Sequence, residues 1–149
     1  WLAHVASAQG HVAADHAAGH SPKPVDYTNI PGCTYCQPQV GSLGMTEAIA
    51  KESGHDVKTG KFLFQASGKA MAVGNTTGFV KLVFDGKYGE LLGAHIVGSE
   101  ATELIAELGM AKSLETTWED IATTTHAHPT LSEAIMEAAS DAFGSAIHQ

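Results

Sequence analysis

His128 and Glu133 stand in the run Thr123-Thr124-Thr125-His126-Ala127-His128-Pro129-Thr130-Leu131-Ser132-Glu133-Ala134, and their types and spacing suit proton transfer. A carboxylate that accepts from one imidazole nitrogen fixes the tautomer and leaves the other nitrogen free as a base. Glu133 falls in the first turns of a predicted helix, within reach of a histidine of its own chain or of a partner. The same residues also have a purely structural explanation. Thr130-x-x-Glu133 is a capping box, in which Glu133 returns to the Thr130 backbone, and Pro129 holds the chain extended ahead of the helix. Spacing alone leaves both explanations open.

Other chemistries find less support. Cys33-Thr34-Tyr35-Cys36 has the spacing of a redox pair or of half a zinc site. A redox pair needs a helix N-terminus after its first cysteine to lower the thiol pKa, and this segment is a strand or loop flanked by proline and glycine. A structural zinc needs two further ligands, and no second CxxC supplies them. The cysteines read as two incidental thiols, and no metal is expected. His16 and His20 stand at i and i+4, but a zinc protease would need a carboxylate directly after the first, where Ala17 stands. They read as solvent-exposed. No GxGxxG lies between a strand and a helix, so the chain by itself should bind no dinucleotide, and no GxSxG offers a nucleophile elbow.

The elements that must position His128 and Glu133 follow from periodicity. Strands are expected over Gln39 to Leu43 and within Val57 to Gln65, where Phe62 and Phe64 share a face opposite Leu63. Phe79 to Phe84 runs into Asp85-Gly86, a hairpin signal, and returns as Leu91 to Val97. Thr46 opens a helix whose positive first turn suits Glu47. Glu100 to Leu114 carries Ala101, Leu104, Ile105, Leu108 and Ala111 on one stripe, with Glu103 and Glu107 opposite. Trp118 to Ala122 reads as a short helix and Leu131 to Phe143 as the last. Strands grouped ahead of helices give an α+β fold with a central, mainly antiparallel sheet and helices packed on it.

At 149 residues the chain holds about one domain. Eight basic against 16 acidic residues give a net charge of −8, which disfavours nucleic acid and anionic membranes as partners. No apolar run approaches the roughly 18 to 20 residues of a membrane span. Trp1 to His20 shows no basic region followed by an apolar core, so no signal peptide is read there. Its first residue is not Met, and the chain reads as cut from something longer. Residues 1–20 are expected to be a helix ending near Gly19, residues 21–25 a linker around Pro22 and Pro24, and residues 26–149 the main domain. Two cysteines are too few to staple a secreted domain, so a reducing compartment is expected.

The stretch His128-Pro129-Thr130-Leu131-Ser132-Glu133-Ala134 resembles the C-terminal signature of the dihydrolipoamide dehydrogenases, which are flavin disulfide reductases. Asn29-Ile30-Pro31-Gly32, Pro38 to Val40 with Gly44, Leu91-Leu92-Gly93-Ala94-His95 and Glu103-Leu104-Ile105 extend the likeness over nearly the whole chain. The opening Leu2-Ala3-His4 helix is similar to the last helix of the family's FAD domain, which precedes its interface domain.

The resemblance implies a homodimer in which His128 and Glu133 complete the active site of the opposite subunit. His128 would deprotonate a dihydrolipoamide thiol, Glu133 would support the imidazolium, and His126 would give local support. FAD and NAD would serve the full-length enzyme, and none is expected to bind this segment alone. The His128–Pro129 peptide would lie against the partner's flavin, and Leu2, Ala3 and His4 would face the flavin of their own subunit. Dihydrolipoamide would arrive on an acyltransferase whose subunit-binding domain docks on the dimer, and the acidity of this chain suits a basic partner. The family's redox disulfide is CxxxxC in the FAD domain, so Cys33 and Cys36 do not inherit its role. Two alternatives stay open: a non-catalytic dimerisation module, and the equivalent domain of a glutathione-reductase-like enzyme, which shares a His-Pro pair followed by Glu.

Overall fold

Alternation of apolar and polar residues along four runs gives each strand one face to bury. In the computed structural model, which describes residues 1–148, these runs and one short strand form a single antiparallel sheet. Its strands are β1 (Gly32–Thr34), β2 (Gln39–Gly44), β3 (Val57–Leu63), β4 (Gly78–Asp85) and β5 (Leu91–Gly98), in the order β1-β2-β5-β4-β3. The expected α+β architecture is therefore observed. Val80, Leu82 and Phe84 of β4 and Ala94 and Ile96 of β5 are fully buried on one face. Phe62 and Phe64 are buried as the pattern requires, while Leu63 points out.

Helices α4 (Ala101–Ser113), α5 (Trp118–Thr123) and α6 (Glu133–Asp141) cover that face. The predicted stripe of α4 holds, with Ala101, Ile105 and Leu108 buried. From α6, Ala134, Ile135, Ala138 and Ala139 enter the same core. Each fully buried Leu, Ile or Phe contributes about 1.5–3 kcal/mol, so this layer dominates stability. The ring of Trp118 stacks on Phe143 with centroids 4.4 Å apart, fastening α5 to the end of α6. Helix α2 (Glu47–Glu52) covers one end of the opposite sheet face through Ala50, with Val83 and Leu92 beneath it.

Several expected boundaries move for local reasons. The Asp85-Gly86 hairpin signal holds, β4 returning antiparallel as β5 from Leu91 as expected, while β4 itself runs one residue further at each end, from Gly78 to Asp85. The Asp85 carboxylate stays in the strand and accepts the N–H groups of Lys87 and Tyr88 at 2.8 and 2.9 Å, so the chain reverses over residues 86–90. Glu100 is not helical; it takes a left-handed φ of 59°, and α4 begins at Ala101. Likewise α6 begins at Glu133 rather than Leu131 and ends at Asp141 rather than Phe143. Strand β1 and the five-residue helix α3 (Gly68–Ala72) were not expected, since neither is long enough to show a period.

The first helix, α1 (Ala3–Ala17), buries no residue. It meets the sheet domain through His4, whose Nε2–H donates to the Pro31 carbonyl at 3.1 Å, and through Gln9, whose amide donates to the Tyr27 hydroxyl at 2.7 Å. Gly19 closes it with a φ of 84°, as expected. His20 lies beyond that end, so His16 and His20 do not share a helical face. No helix among the described residues is long and apolar enough to cross a membrane.

Candidate active site

The loop between α5 and α6 carries His126, His128 and Pro129, and α6 delivers Glu133 at its first residue. Here the two explanations open to the sequence prove compatible, because the carboxylate has two oxygens. Glu133 Oε2 accepts the Thr130 N–H at 2.8 Å, the return bond of a capping box. Glu133 Oε1 accepts from His128 Nδ1–H, also at 2.8 Å. The reciprocal half of the box is missing. The Thr130 hydroxyl donates instead to the Ala127 carbonyl at 2.7 Å, and the helix N-cap residue is Ser132, which makes no side-chain cap bond. Nor is the chain extended at Pro129: the backbone bends at His128 and Pro129.

With a carboxylate on Nδ1, the neutral His128 ring carries its proton there and presents Nε2 as a lone-pair base. The His128 side chain is 77% exposed and Glu133 only 27%. The base therefore faces outward while its partner is sheltered. The Thr130 N–H, then the His128 bond, hold the Glu133 carboxyl below its ordinary value of 4.5 against the opposing effect of burial. Glu133 is thus an anion at neutral pH and stays ready to pair with an imidazolium.

That depressed value has a sign in stability. A carboxyl with a lowered folded-state pKa stabilises the fold above the unfolded carboxylate range and loses that contribution as pH falls through the folded value. The melting temperature of the wild type should exceed that of Glu133→Gln most above about pH 5, and the gap should narrow as pH falls below the ordinary value of 4.5. Parallel melting curves across that window would refute the assignment of a charged Glu133.

Two further histidine–carboxylate pairs surround this one. His126 is nearly buried, its side chain 6% exposed, with Nε2 2.8 Å from Glu107 Oε1 on α4 and Nδ1 2.9 Å from the Thr124 carbonyl. Both neighbours only accept, so both hydrogen bonds form together only when the ring carries two protons. This ties the loop to α4. His148 Nδ1–H donates to Glu137 Oε1 at 2.7 Å, one turn along α6 from Glu133. A cleft of about 300 Å³ opens beside these residues, lined by His128, Glu133, Glu137, His148, Met136 and Met71.

Glu137, His148 and Glu107 were not singled out by sequence reasoning. The i, i+4 spacing of Glu133 and Glu137 was the available signal for the first; the histidine partners are joined only by the fold. The residues expected to contact flavin fall in two places. His128 and Pro129 are exposed beside the cleft. Leu2, Ala3 and His4 lie at the exposed start of α1, and His4 lines a separate groove of about 520 Å³ with Asn29 and Pro31. The chain does not bring that group to His128. Cys33 sits in β1 against the core, and Cys36 is exposed with its thiol near the Pro38 carbonyl. Among the described residues, no three His, Cys, Asp or Glu side chains converge to hold a metal ion.

Residues 30–139 match the family described as the pyridine nucleotide-disulphide oxidoreductase dimerisation domain. The chain is similar to the dihydrolipoyl dehydrogenase of Bacillus subtilis (strain 168), at 50% identity over 147 residues, covering 99% of this chain and 31% of that protein. It is similar to the dihydrolipoyl dehydrogenase of Zymomonas mobilis, at 53% identity over 148 residues, covering 99% of this chain and 32% of that protein. Among solved structures it resembles LpdA from Mycobacterium tuberculosis, with a TM-score of 0.87 at 27% identity over 93% of this chain and 30% of that one. The chain spans about a third of the length of these relatives.

Proposed function

Because the chain belongs to the pyridine nucleotide-disulphide oxidoreductases, as a dimerisation domain of the dihydrolipoyl dehydrogenase type, we propose that it presents His128 to the partner subunit's active centre as the base that deprotonates a dihydrolipoamide thiol. The observation that carries this reading is the His128–Glu133 bond itself: an oriented base, backed by an anion, whose free nitrogen faces outward. The thiol proton passes to His128 Nε2, and the resulting thiolate is the nucleophile for disulfide exchange. Glu133 pairs with the imidazolium so formed and keeps it available to return the proton.

FAD and NAD in the full-length protein supply the onward electron transfer. The residues assigned to flavin contact, Leu2, Ala3, His4 and the His128–Pro129 peptide, are all exposed in this chain and so are free to meet a group held elsewhere in the dimer. Residues 1–20 are the closing helix of the FAD domain in this reading, which accords with a helix that buries nothing against the sheet domain. Residues 21–25 link it to the interface domain, residues 26–149. The dithiol arrives on an acyltransferase, and the net charge of −8 favours docking of a basic subunit-binding domain.

Hybrid dimers test the assignment across the interface. One full-length subunit carries His128→Gln; the other has a serine in place of one cysteine of its redox pair. Each homodimer should be inactive with dihydrolipoamide. The hybrid should regain about half of the wild-type activity, because one of its two centres combines an intact disulfide with the other subunit's His128. A hybrid as inactive as its parents would show that His128 does not act in trans.

A further inference from the structure

The second histidine–carboxylate pair on α6 bears on the first. Glu137 is buried, 5% exposed, and among the described residues its carboxylate accepts hydrogen bonds from Ile147 and His148 alone. Its Oε1 accepts from His148 Nδ1–H at 2.7 Å, and its Oε2 accepts the N–H groups of Ile147 and His148, both at 3.3 Å. A buried carboxylate without such partners costs several kcal/mol, so it seeks any donor within reach. Glu133 stands one turn away on the same helix, and His128, Glu133, Glu137 and His148 line one cleft. Two carboxylates and two imidazoles thus share a single pocket, and the useful geometry depends on which pairs with which.

We propose that His148 is a positioning residue for the His128–Glu133 pair: by occupying Glu137 it keeps the second carboxylate from competing for His128 Nδ1–H and closes the C-terminal wall of the cleft. This rests on the proposed role of His128 as the thiol base. The charged groups facing His148 from its other side are Lys61 of β3 and Asp141 of α6, which line the adjoining groove. They stand as one cation and one anion, so what losing His148 leaves behind is the Oε1 of Glu137 without its side-chain donor. A carboxylate freed in this way favours the protonated form of a neighbouring imidazole, and a protonated His128 cannot accept the thiol proton.

The test is anaerobic stopped-flow reduction of the flavin by dihydrolipoamide, across about pH 6 to 9, in the full-length holoenzyme. His148→Ala should slow the step about 5- to 20-fold near neutral pH and move the acid limb of the profile up by about half a unit, with flavin content and dimer mass unchanged. His148→Asn, whose side-chain amide can donate to Glu137 in place of Nδ1–H, should recover the rate to within about twofold. Adding Glu137→Gln to His148→Ala should return the acid limb to its wild-type position, which also serves if His148→Ala alone folds poorly. His128→Gln is the reference. If it leaves the rate intact, the reading of His128 as base falls. If His128→Gln abolishes the step while His148→Ala behaves as wild type, or while His148→Asn is as slow as His148→Ala, only the role of His148 falls.

Discussion

In the full-length protein, His128→Gln is expected to lower the rate of flavin reduction by dihydrolipoamide by about 10²- to 10⁴-fold, the range that a positioned general base supplies. The substitution is chosen to remove the base and little else. Glutamine keeps a side-chain amide that can donate to Glu133 Oε1, so the charge on α6 retains a partner and the Thr130 N–H bond to Oε2 is untouched. What is lost is the lone pair at Nε2. With 77% of the His128 side chain exposed, stability should change by no more than about 0.5 kcal/mol, and flavin content and dimer mass should match the wild type. The deficit should also narrow with pH. A thiol ionises unaided above about pH 8.5, so an alkaline medium does in part what His128 does at neutrality. Rapid-mixing measurements at neutral and alkaline pH check both points. Near-normal reduction in this variant, or a deficit independent of pH, would sink the assignment.

The sequence carried the sheet better than its connections, and the reasons are physical. Val80, Leu82 and Phe84 alternate because one face of β4 is buried, and Ala101, Ile105 and Leu108 recur because one face of α4 is. Such periods are visible only when an element is long enough to repeat. Strand β1 has three residues and is defined by its pairing with β2, Cys33 opposite Gly41, which no local pattern encodes. The hairpin at Asp85-Gly86 was legible, but not the way its loop is held, by the Asp85 side chain accepting two backbone donors. At the site, His128 and Glu133 were legible because they stand only five positions apart and a helix start fixes their relation. The pairs His126–Glu107 and His148–Glu137 span 19 and 11 residues, and only the docking of α6 and the loop before it brings them together.

That docking brings backbone against backbone at Gly60, and Gly60→Val should break it. Gly60 lies in the middle of β3, where α6 crosses the sheet. A side chain there would fall on the Ala138 carbonyl oxygen and 2.5 Å from the Ala142 amide nitrogen, both backbone atoms of the helix and its cap, which cannot swing aside. Lys61 N–H also donates to the Asp141 carboxylate at 2.8 Å, so lifting the helix costs a hydrogen bond as well as packing. Overpacking of this kind typically costs about 1–3 kcal/mol, and an isopropyl group added against backbone puts Gly60→Val at or above the upper end. The consequence for chemistry exceeds that for stability. Helix α6 brings Glu133 to His128 and Glu137 to His148, and a displacement of about 1 Å at reacting groups can cost about a hundredfold in rate. Gly60→Val should therefore lose flavin reduction by dihydrolipoamide before it unfolds, at temperatures where circular dichroism still reports the native sheet. Gly109→Ala on α4 is the control, since a methyl group there meets only Leu43 Cδ2 at 4.0 Å, an ordinary contact away from the cleft, and should leave reduction unchanged and melting no lower. A Gly60→Val protein with wild-type melting and wild-type reduction would mean that the contact between α6 and β3 is not what holds the pair in place.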